Sequence, residues 1–413
     1  MKKLKNNTKD FLWNAIGLTL NAFNSLFFLI VVRFINGLDT AGVFTYAFAI
    51  CIFFYAFAIF FNRSFQVSDA KDRFSFNDYF TCRITTSVIG LVAVILFSLI
   101  NGFGAFEFSI VLFLCLFRTI EAISDCFYGA IQKRGKLYQT GISLSLKAIL
   151  GLAAFALVDY LTGDLLFAII ALILVNVAFF FFYDLKNYFK LYKTKPKLSP
   201  IRLSNILKAS LPVAIFSILA IYLSNCQKYI LPYFAPDDIQ AIFGILIMPA
   251  TVLALVGSYL INPFISTFTD HHTAKRYQQF ITSTKKLFFA MLALGAVALI
   301  VCYFIGIPIL EVIFQLDLSA YHFAFLLIIL ASVFYAITMI FSSLLTILGE
   351  NRRQTYAYFI SAIVATVVAL VLIPTSFIDG AVYSFLISSF VLIAIYSGLL
   401  QYKLHTCKKL KEA

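Results

Sequence analysis

Hydrophobic residues run along the chain in long uninterrupted segments that are separated by short polar connectors. Each segment has about the 20 residues that a helix needs to cross roughly 30 Å of hydrocarbon. The segments are residues 11–34, 41–61, 84–101, 108–128, 141–158, 165–183, 209–231, 240–261, 287–305, 320–347, 355–374 and 380–401. This pattern predicts an all-α integral membrane protein with twelve transmembrane helices.

The connectors alternate in charge. The first, third and every later odd-numbered connector contains no lysine or arginine, whereas the even-numbered connectors and both ends of the chain are rich in them. Positively charged loops remain in the cytoplasm, so the pattern places both termini on the cytoplasmic side. A wrong number of helices would break the alternation, so the charge pattern and the helix count support each other.

The composition excludes an ordinary soluble protein, because 62% of the residues are hydrophobic and only 12% are charged. The net charge of +13 would be compatible with nucleic acid as a partner. However, the cations lie on one side of the predicted membrane, where they face anionic lipid head groups. We therefore expect membrane lipids, and not nucleic acid, as the partners of this charge.

The longest cytoplasmic connector divides the predicted helices into two equal groups. We predict an N-terminal six-helix lobe at 1–185, a basic cytoplasmic linker at 186–208 and a C-terminal six-helix lobe at 209–413. Both groups begin and end in the cytoplasm, as parallel repeats in some transporters do. The alternative is that any two hydrophobic halves look somewhat alike.

Motifs of catalysis and metal binding are absent from the sequence. It contains no GxxxxGK[ST], HExxH or GxSxG motif, and no outer connector is long enough for a folded domain. The neighbouring His271 and His272 would point to different faces of a helix, so they do not suggest a metal site. We expect neither an enzyme nor a metal or other cofactor.

Six ionisable residues lie inside the predicted membrane segments: Arg33, Arg118, Glu121, Asp125, Lys147 and Lys228. Such residues are costly in hydrocarbon and commonly mark a functional site. Their net charge is positive, which suits an anionic passenger. The alternatives are a structural ion pair between Arg118 and Glu121, three residues apart, and lysines whose side chains extend to the membrane surface.

Two further features bear on transport. Glu121 and Asp125 are like charges about one helical turn apart, which suggests that one of them binds a proton during the transport cycle. Pro249 interrupts the predicted eighth helix, and a proline within a helix removes a backbone hydrogen bond and supplies a bend.

Four stretches of the chain carry recognisable motifs: residues 65–84, 121–137, 227–229 and 240–250. The first contains a cytoplasmic loop motif with Asp69, Asp78, Tyr79 and Arg83. Together they resemble the Wzx-type O-antigen flippases of the multidrug/oligosaccharidyl-lipid/polysaccharide (MOP) superfamily. At Gln227 the family often has a proline, and its absence here puts a kink of the seventh helix in doubt.

The resemblance implies two six-helix lobes around a central V-shaped cavity, as in MATE and MurJ transporters, which opens alternately to either side of the bacterial inner membrane. The implied substrate is an undecaprenyl-diphosphate-linked oligosaccharide of lipopolysaccharide biosynthesis, moved to the periplasmic leaflet. A polysaccharide polymerase and a chain-length regulator are implied partners. The residues expected to face the diphosphate are Arg33, Arg118, Lys147 and Lys228.

Two other functions remain open. A multidrug/cation antiporter of the same superfamily would share the fold, but it would favour acidic over basic residues in its cavity. A membrane glycan polymerase would have similar hydropathy, but it would need a large outer loop with catalytic residues.

The alternating charge pattern yields a topology that reporter fusions can test. Two adjacent connectors that report the same side would contradict the twelve-helix topology. Fusions at the outer connectors should report the periplasm, and we would place them at Asp39, Gly104, Asp164, Asp237, Asp317 and Asp379. Fusions at the inner connectors should report the cytoplasm, and we would place them at Asp72, Lys197, Lys275 and Arg352.

Overall fold

The computed structural model describes residues 2–60, 63–69 and 72–412, except for the side chains of 2–8, 11, 64 and 407–412. Over these ranges the chain forms helices and connecting turns, with no β-strand. The predicted all-α class is therefore confirmed.

The helices follow one another with short connections. They are α1 (Lys2–Asn36), α2 (Leu38–Ile59), α3 (Arg63–Ser68), α4 (Phe76–Ile100), α5 (Ala105–Lys133), α6 (Leu137–Thr162), α7 (Leu165–Phe179), α8 (Lys186–Leu191), α9 (Leu203–Ile230), α10 (Asp237–Leu246), α11 (Met248–Ile261), α12 (Ile265–Thr273), α13 (Tyr277–Val301), α14 (Ile307–Phe314), α15 (His322–Ile347) and α16 (Asn351–Glu412). A π-helical turn, Phe180–Leu185, joins α7 to α8, and a second one, Cys302–Gly306, joins α13 to α14.

Helix α16 makes two membrane passes. Its 62 residues would extend about 93 Å as one straight helix, roughly three times the hydrocarbon thickness. The backbone reverses at Phe377, whose φ of 42° and ψ of −106° are not helical. Across this reversal the Ser384 hydroxyl donates a hydrogen bond to the Ala365 carbonyl oxygen at 2.9 Å. The two arms, 351–376 and 378–412, are therefore antiparallel neighbours.

The count of membrane passes agrees with the sequence pattern. In the described part of the chain, ten helical stretches are long and apolar enough to cross a membrane, and α16 is counted among them once. Its second arm adds one pass. Helix α5 adds another, since its 29 residues suffice in length although Arg118, Glu121 and Asp125 lower its hydropathy. The predicted twelve-helix class is confirmed.

Helix α4 begins earlier than its hydrophobic pattern predicted. Ser75 and Asp78 form a capping box, in which the Asp78 carboxylate accepts from the Ser75 backbone N–H at 2.8 Å and the Ser75 hydroxyl accepts from the Asp78 N–H at 3.3 Å. Asp78, Tyr79 and Arg83 consequently lie in the first turns of α4. Their prediction as loop residues was wrong, and of the predicted loop motif only Asp69 lies between helices.

A break divides the predicted eighth helix. Helix α10 ends at Leu246 and α11 begins at Met248, which places Pro249 in the first turn of α11. A proline is tolerated at this position because the first N–H groups of a helix have no acceptor within the helix.

The chain divides into two compact units, Met1–Ile221 and Tyr222–Ala413. The predicted lobe bounds stay predictions. Part of the predicted linker packs on α4 in the first unit. The Lys197 N–H donates to the Asn77 side-chain oxygen at 3.0 Å, and the Ser199 N–H donates to the Thr81 hydroxyl at 2.8 Å.

Helices α1 and α6 approach closely at a pair of glycines. A Cβ atom on Gly141 would lie 2.2 Å from the carbonyl carbon of Trp13, and one on Gly17 would lie 2.6 Å from the Gly141 carbonyl oxygen. Small residues allow two backbones in a membrane to come this close. The contact joins the two helices near the beginning of each.

This contact predicts that Gly141→Val destabilises the protein, because the added side chain meets backbone that cannot move aside. We expect a loss of about 1–3 kcal/mol, as for other overpacked sites. Thermal unfolding followed by the fluorescence of Trp13, the single tryptophan, would measure it. Gly398→Val is the matched control, since nothing lies within 4 Å of its added Cβ. Equal melting temperatures for the two variants would contradict the prediction.

Candidate functional site

A polar cavity lies among the helices of the N-terminal unit. It has a volume of about 120 Å³ and is bounded by side chains from α1, α2, α3, α5, α6 and α7. Three of the residues predicted from the sequence, Glu121, Asp125 and Lys147, line it together. Its polar lining residues are Asn21, Asn24, Tyr55, Arg63, Glu121, Ser124, Asp125, Tyr128, Lys147 and Asn176.

Lys147 has a carboxylate partner that the sequence analysis missed. Its ammonium lies 2.6 Å from the Asp184 carboxylate and also donates to Ser124 at 2.8 Å and to Tyr128 at 3.1 Å. The side chains of Lys147 and Asp184 are only 6% and 1% exposed. The Ser143 hydroxyl donates to the other Asp184 oxygen at 2.6 Å. This closed network keeps both charges inside the unit.

The position of Asp184 explains why it was missed. It lies in the π-helical turn after α7, at a place that the hydrophobic pattern assigned to the boundary of the cytoplasmic linker. A π-helical turn is often found at functional sites, but it has no simple sequence signature. The sequence did hold one usable signal, which is the depth of the two residues in the membrane. Lys147 and Asp184 both lie within a few helical turns of the predicted cytoplasmic surface.

Asp125 lies between two arginines. Its carboxylate is 3.2 Å from the Arg83 guanidinium and 3.9 Å from that of Arg63. The Arg83 side chain is fully buried, and Arg63 reaches the cavity from the short helix α3. Two cations thus share one carboxylate at this end of the cavity.

Arg118 and Glu121 form the structural ion pair that their three-residue spacing allowed. Their nearest charged atoms lie 2.5 Å apart, and the aromatic rings of Phe48, Tyr55 and Phe117 surround the guanidinium at 5.0–5.6 Å. Such rings attract a cation through their electron-rich faces. Glu121 is therefore engaged in an ion pair with an arginine, as Asp125 is. The proton-binding role of these two acids stays a prediction.

The other two predicted cations have no such partner. Arg33 in α1 and Lys228 in α9 are half-buried, and within the described side chains neither has an acidic group within the 4.0 Å that defines an ion pair. Two neutral amides lie next to the Lys228 backbone. The Gln240 amide donates to the Lys228 carbonyl oxygen at 3.3 Å, and the Gln227 amide donates to Ser384 at 3.1 Å.

The six predicted site residues consequently fall into two classes. The structure places Arg118, Glu121, Asp125 and Lys147 in three separate groups of ion pairs, which also contain Arg63, Arg83 and Asp184. Arg33 and Lys228 belong to none of the ion pairs among the described side chains. Within the described chain, no group of three or more histidine, cysteine or acidic side chains is placed to hold a metal ion.

The buried pair of Lys147 and Asp184 predicts a strong effect of removing one partner. We expect Lys147→Met to cost about 3–5 kcal/mol, because it leaves the Asp184 carboxylate without its cation in a dry environment. The double variant Lys147→Met/Asp184→Leu should recover part of this loss. Thermal unfolding of the detergent-solubilised protein would measure both.

The half-exposed Arg353 provides the control for this experiment. It pairs with Glu350, which keeps Lys403 as a second partner, so Arg353→Gln should cost less than about 1 kcal/mol. If Lys147→Met unfolds at the same temperature as Arg353→Gln, the buried pair does not hold the unit together.

Comparisons with known proteins bear on the fold as a whole. No protein-family model matches the chain. It is 22% identical to the capsular polysaccharide biosynthesis protein CapF of Staphylococcus aureus, over 94% of this chain and 98% of that protein.

Solved transporter structures cover nearly the whole chain. The lipid II flippase MurJ in an inward closed conformation has a TM-score of 0.72 at 12% identity, over 98% of this chain and 90% of MurJ. A multidrug resistance MATE family transporter of the MOP superfamily, in an outward-facing conformation, has a TM-score of 0.64 at 13% identity, over 98% and 96%. A MOP superfamily transporter from Pyrococcus furiosus has a TM-score of 0.58 at 13% identity, over 98% and 96%. The chain therefore has the multi-pass membrane fold of the MATE and MurJ transporters, which confirms the predicted resemblance to the MOP superfamily.

Proposed function

We propose that the chain is a Wzx-type flippase that moves an undecaprenyl-diphosphate-linked oligosaccharide from the cytoplasmic to the periplasmic leaflet of the bacterial inner membrane. The likeness to a capsular polysaccharide biosynthesis protein extends over almost the full length of both chains and supports a surface glycan as the passenger. The fold of MurJ supports a lipid-linked one. The passenger is an O-antigen repeat unit or that of a related surface polysaccharide, and both termini lie in the cytoplasm.

The observation that carries this proposal is the half-buried Lys228 without a carboxylate partner among the described side chains. A charged group in a low-dielectric environment is costly unless an opposite charge compensates it. A diphosphate has the same problem when it leaves the membrane surface. When the Lys228 ammonium binds the diphosphate, the desolvation cost of each charge falls. Arg33 can bind the diphosphate in the same way.

Translocation breaks no covalent bond, so the proposal contains no catalytic residue and no enzymatic step. The protein has to bind the diphosphate and shield the hydrated glycan from hydrocarbon, while the prenyl chain can remain in the lipid. The ion pairs of the N-terminal unit stabilise the frame in which this happens. A polysaccharide polymerase and a chain-length regulator would act on the delivered unit.

A multidrug/cation antiporter is the second candidate. Two observations favour it: several solved MATE transporters share the fold, and the carboxylates of Glu121 and Asp125 line the cavity. Their arginine partners count against it, because an organic cation would have to compete with them for the carboxylates. Resistance to cationic drugs upon expression would favour this candidate.

The proposal predicts that Lys228→Ala reduces the export of surface glycan by about tenfold or more, since a charge-assisted hydrogen bond contributes about 1.5–3 kcal/mol. Lys228→Arg should keep partial function, because arginine also offers N–H donors to phosphate oxygens. Surface glycan would be measured in a strain that depends on the plasmid-borne gene, with the amount of membrane-inserted protein determined alongside.

The exposed Lys285 in α13 is the matched control, and Lys285→Ala should export as wild type does. Full glycan export by Lys228→Ala at normal protein levels would mean that Lys228 only anchors the helix at the membrane surface.

A further inference from the structure

A second cavity, which we call the cytoplasmic cradle, lies outside the membrane cavity with its ion pairs. It is lined by α3, by Asp69, Asp72, Phe74 and Ser75, by the first turn of α4, by the end of α5 and by Tyr192. Its volume of about 610 Å³ falls within the range of about 300–1,000 Å³ that is typical of small-molecule pockets. The charge pattern of the chain places this surface in the cytoplasm.

One wall of the cradle is fixed by the carboxylate of Asp69. It accepts hydrogen bonds from the backbone N–H groups of Arg73 and Phe74, both at 3.1 Å, and from the Tyr79 hydroxyl at 2.9 Å. Burial acts to raise the pKa of the Asp69 carboxyl, but these hydrogen bonds outweigh it and hold the pKa below its usual value. Asp69 therefore holds Arg73, Phe74 and Tyr79 in place before any ligand binds.

The end of α5 fixes the opposite wall. Lys133 donates to the Asp69 carbonyl oxygen at 2.9 Å and to the Asp72 carboxylate at 2.8 Å. The Arg134 guanidinium lies 4.7 Å from the centre of the Tyr192 ring, and the Tyr192 hydroxyl donates to the Ala130 carbonyl oxygen at 3.0 Å. Both walls are thus tied to transmembrane helices.

The chemistry of the cradle fits a neutral ligand with many hydroxyl groups. The Arg73 guanidinium lies 3.4 Å from the Asp69 carboxylate and the Lys133 ammonium lies 2.8 Å from that of Asp72, so most of the charge around the cradle is already compensated, which disfavours a polyanion. The Gln132 side chain lines the cradle without a hydrogen-bond partner in the described chain, so its amide can both donate and accept. Asp72 is 80% exposed and can accept from further hydroxyl groups.

Aromatic side chains complete the lining. Phe74 is half-buried and borders the same space, whereas the Tyr192 ring, which also lines it, is stacked on Tyr188 and covered by the Arg134 guanidinium. Aromatic rings provide large, rigid apolar surfaces, against which the C–H faces of a sugar ring can pack. Carboxylate, amide and aromatic groups around one cavity are the combination that a pyranose needs, because its edge is polar and its faces are apolar.

We infer that the cytoplasmic cradle binds one or two sugar residues of the lipid-linked glycan before translocation. The inference rests on the proposed flippase function and extends it, because it assigns recognition of the sugar to a site separate from the cations that serve the diphosphate. The cradle would then select the passenger by its glycan, while Lys228 responds to the carrier that all such passengers share.

The test measures binding to the full-length protein in nanodiscs of phosphatidylcholine. The probes are the undecaprenyl-diphosphate-linked repeat unit extracted from the producing cells and undecaprenyl diphosphate without sugar. Wild type should bind the first probe about tenfold more tightly than the second, the difference expected from one or two hydrogen bonds. Gln132→Ala should reduce this difference, and Gln132→Trp should remove it by filling the cradle. The exposed Gln278→Ala serves as the control.

The outcomes separate the two proposals. If wild type binds both probes equally, or if Gln132→Trp keeps the sugar-dependent difference, the cradle is not a sugar site, while the flippase proposal stands as long as Lys228→Ala weakens both probes. If neither probe binds, the proposed function fails and the inference fails with it. If added phosphatidylglycerol abolishes the sugar-dependent difference, the cradle binds lipid phosphate and the inference is wrong.

Discussion

The requirement that buried charges be compensated governs the N-terminal unit. Hydrocarbon and dry protein solvate ions poorly, so a buried cation there is costly unless a carboxylate lies close by. Arg118 finds one on its own helix, Arg83 connects α4 to α5 through Asp125, and Lys147 connects α6 to the turn after α7 through Asp184. The polar cavity lies among these pairs, so its position follows from the way in which the helices neutralise one another.

This compensation changes the argument for an anionic passenger. The sequence suggested a net positive interior made of four cations, whereas in the structure two of the four are engaged by carboxylates. The case for binding a diphosphate therefore rests on Arg33 and Lys228, which lack such partners in the described chain. In the proposed function the two kinds of cation have different tasks: the paired ones maintain the fold, and the unpaired ones bind the diphosphate.

Much of the fold could be predicted from the sequence, and the exceptions have physical reasons. Hydrophobic length and the positive-inside pattern predict helices one at a time, because each depends only on the local chain and the bilayer. They do not tell which helices become neighbours, so the pairing of Lys147 with Asp184 and of Arg83 with Asp125 could not be predicted. The early start of α4 was readable, since serine and aspartate three residues apart favour a helix start. This helix start was missed because hydropathy alone was used to place it.

The reversal at Phe377 has a consequence for the biogenesis of the protein. The last two passes are joined without a connecting loop, and Gly380 faces Leu372 so closely that a Cβ atom would lie 2.4 Å from the Leu372 carbonyl oxygen. The first arm therefore cannot insert into the bilayer alone, with the second arm following later on a long connecting loop. We expect the insertion machinery to accept both arms together as a helical hairpin.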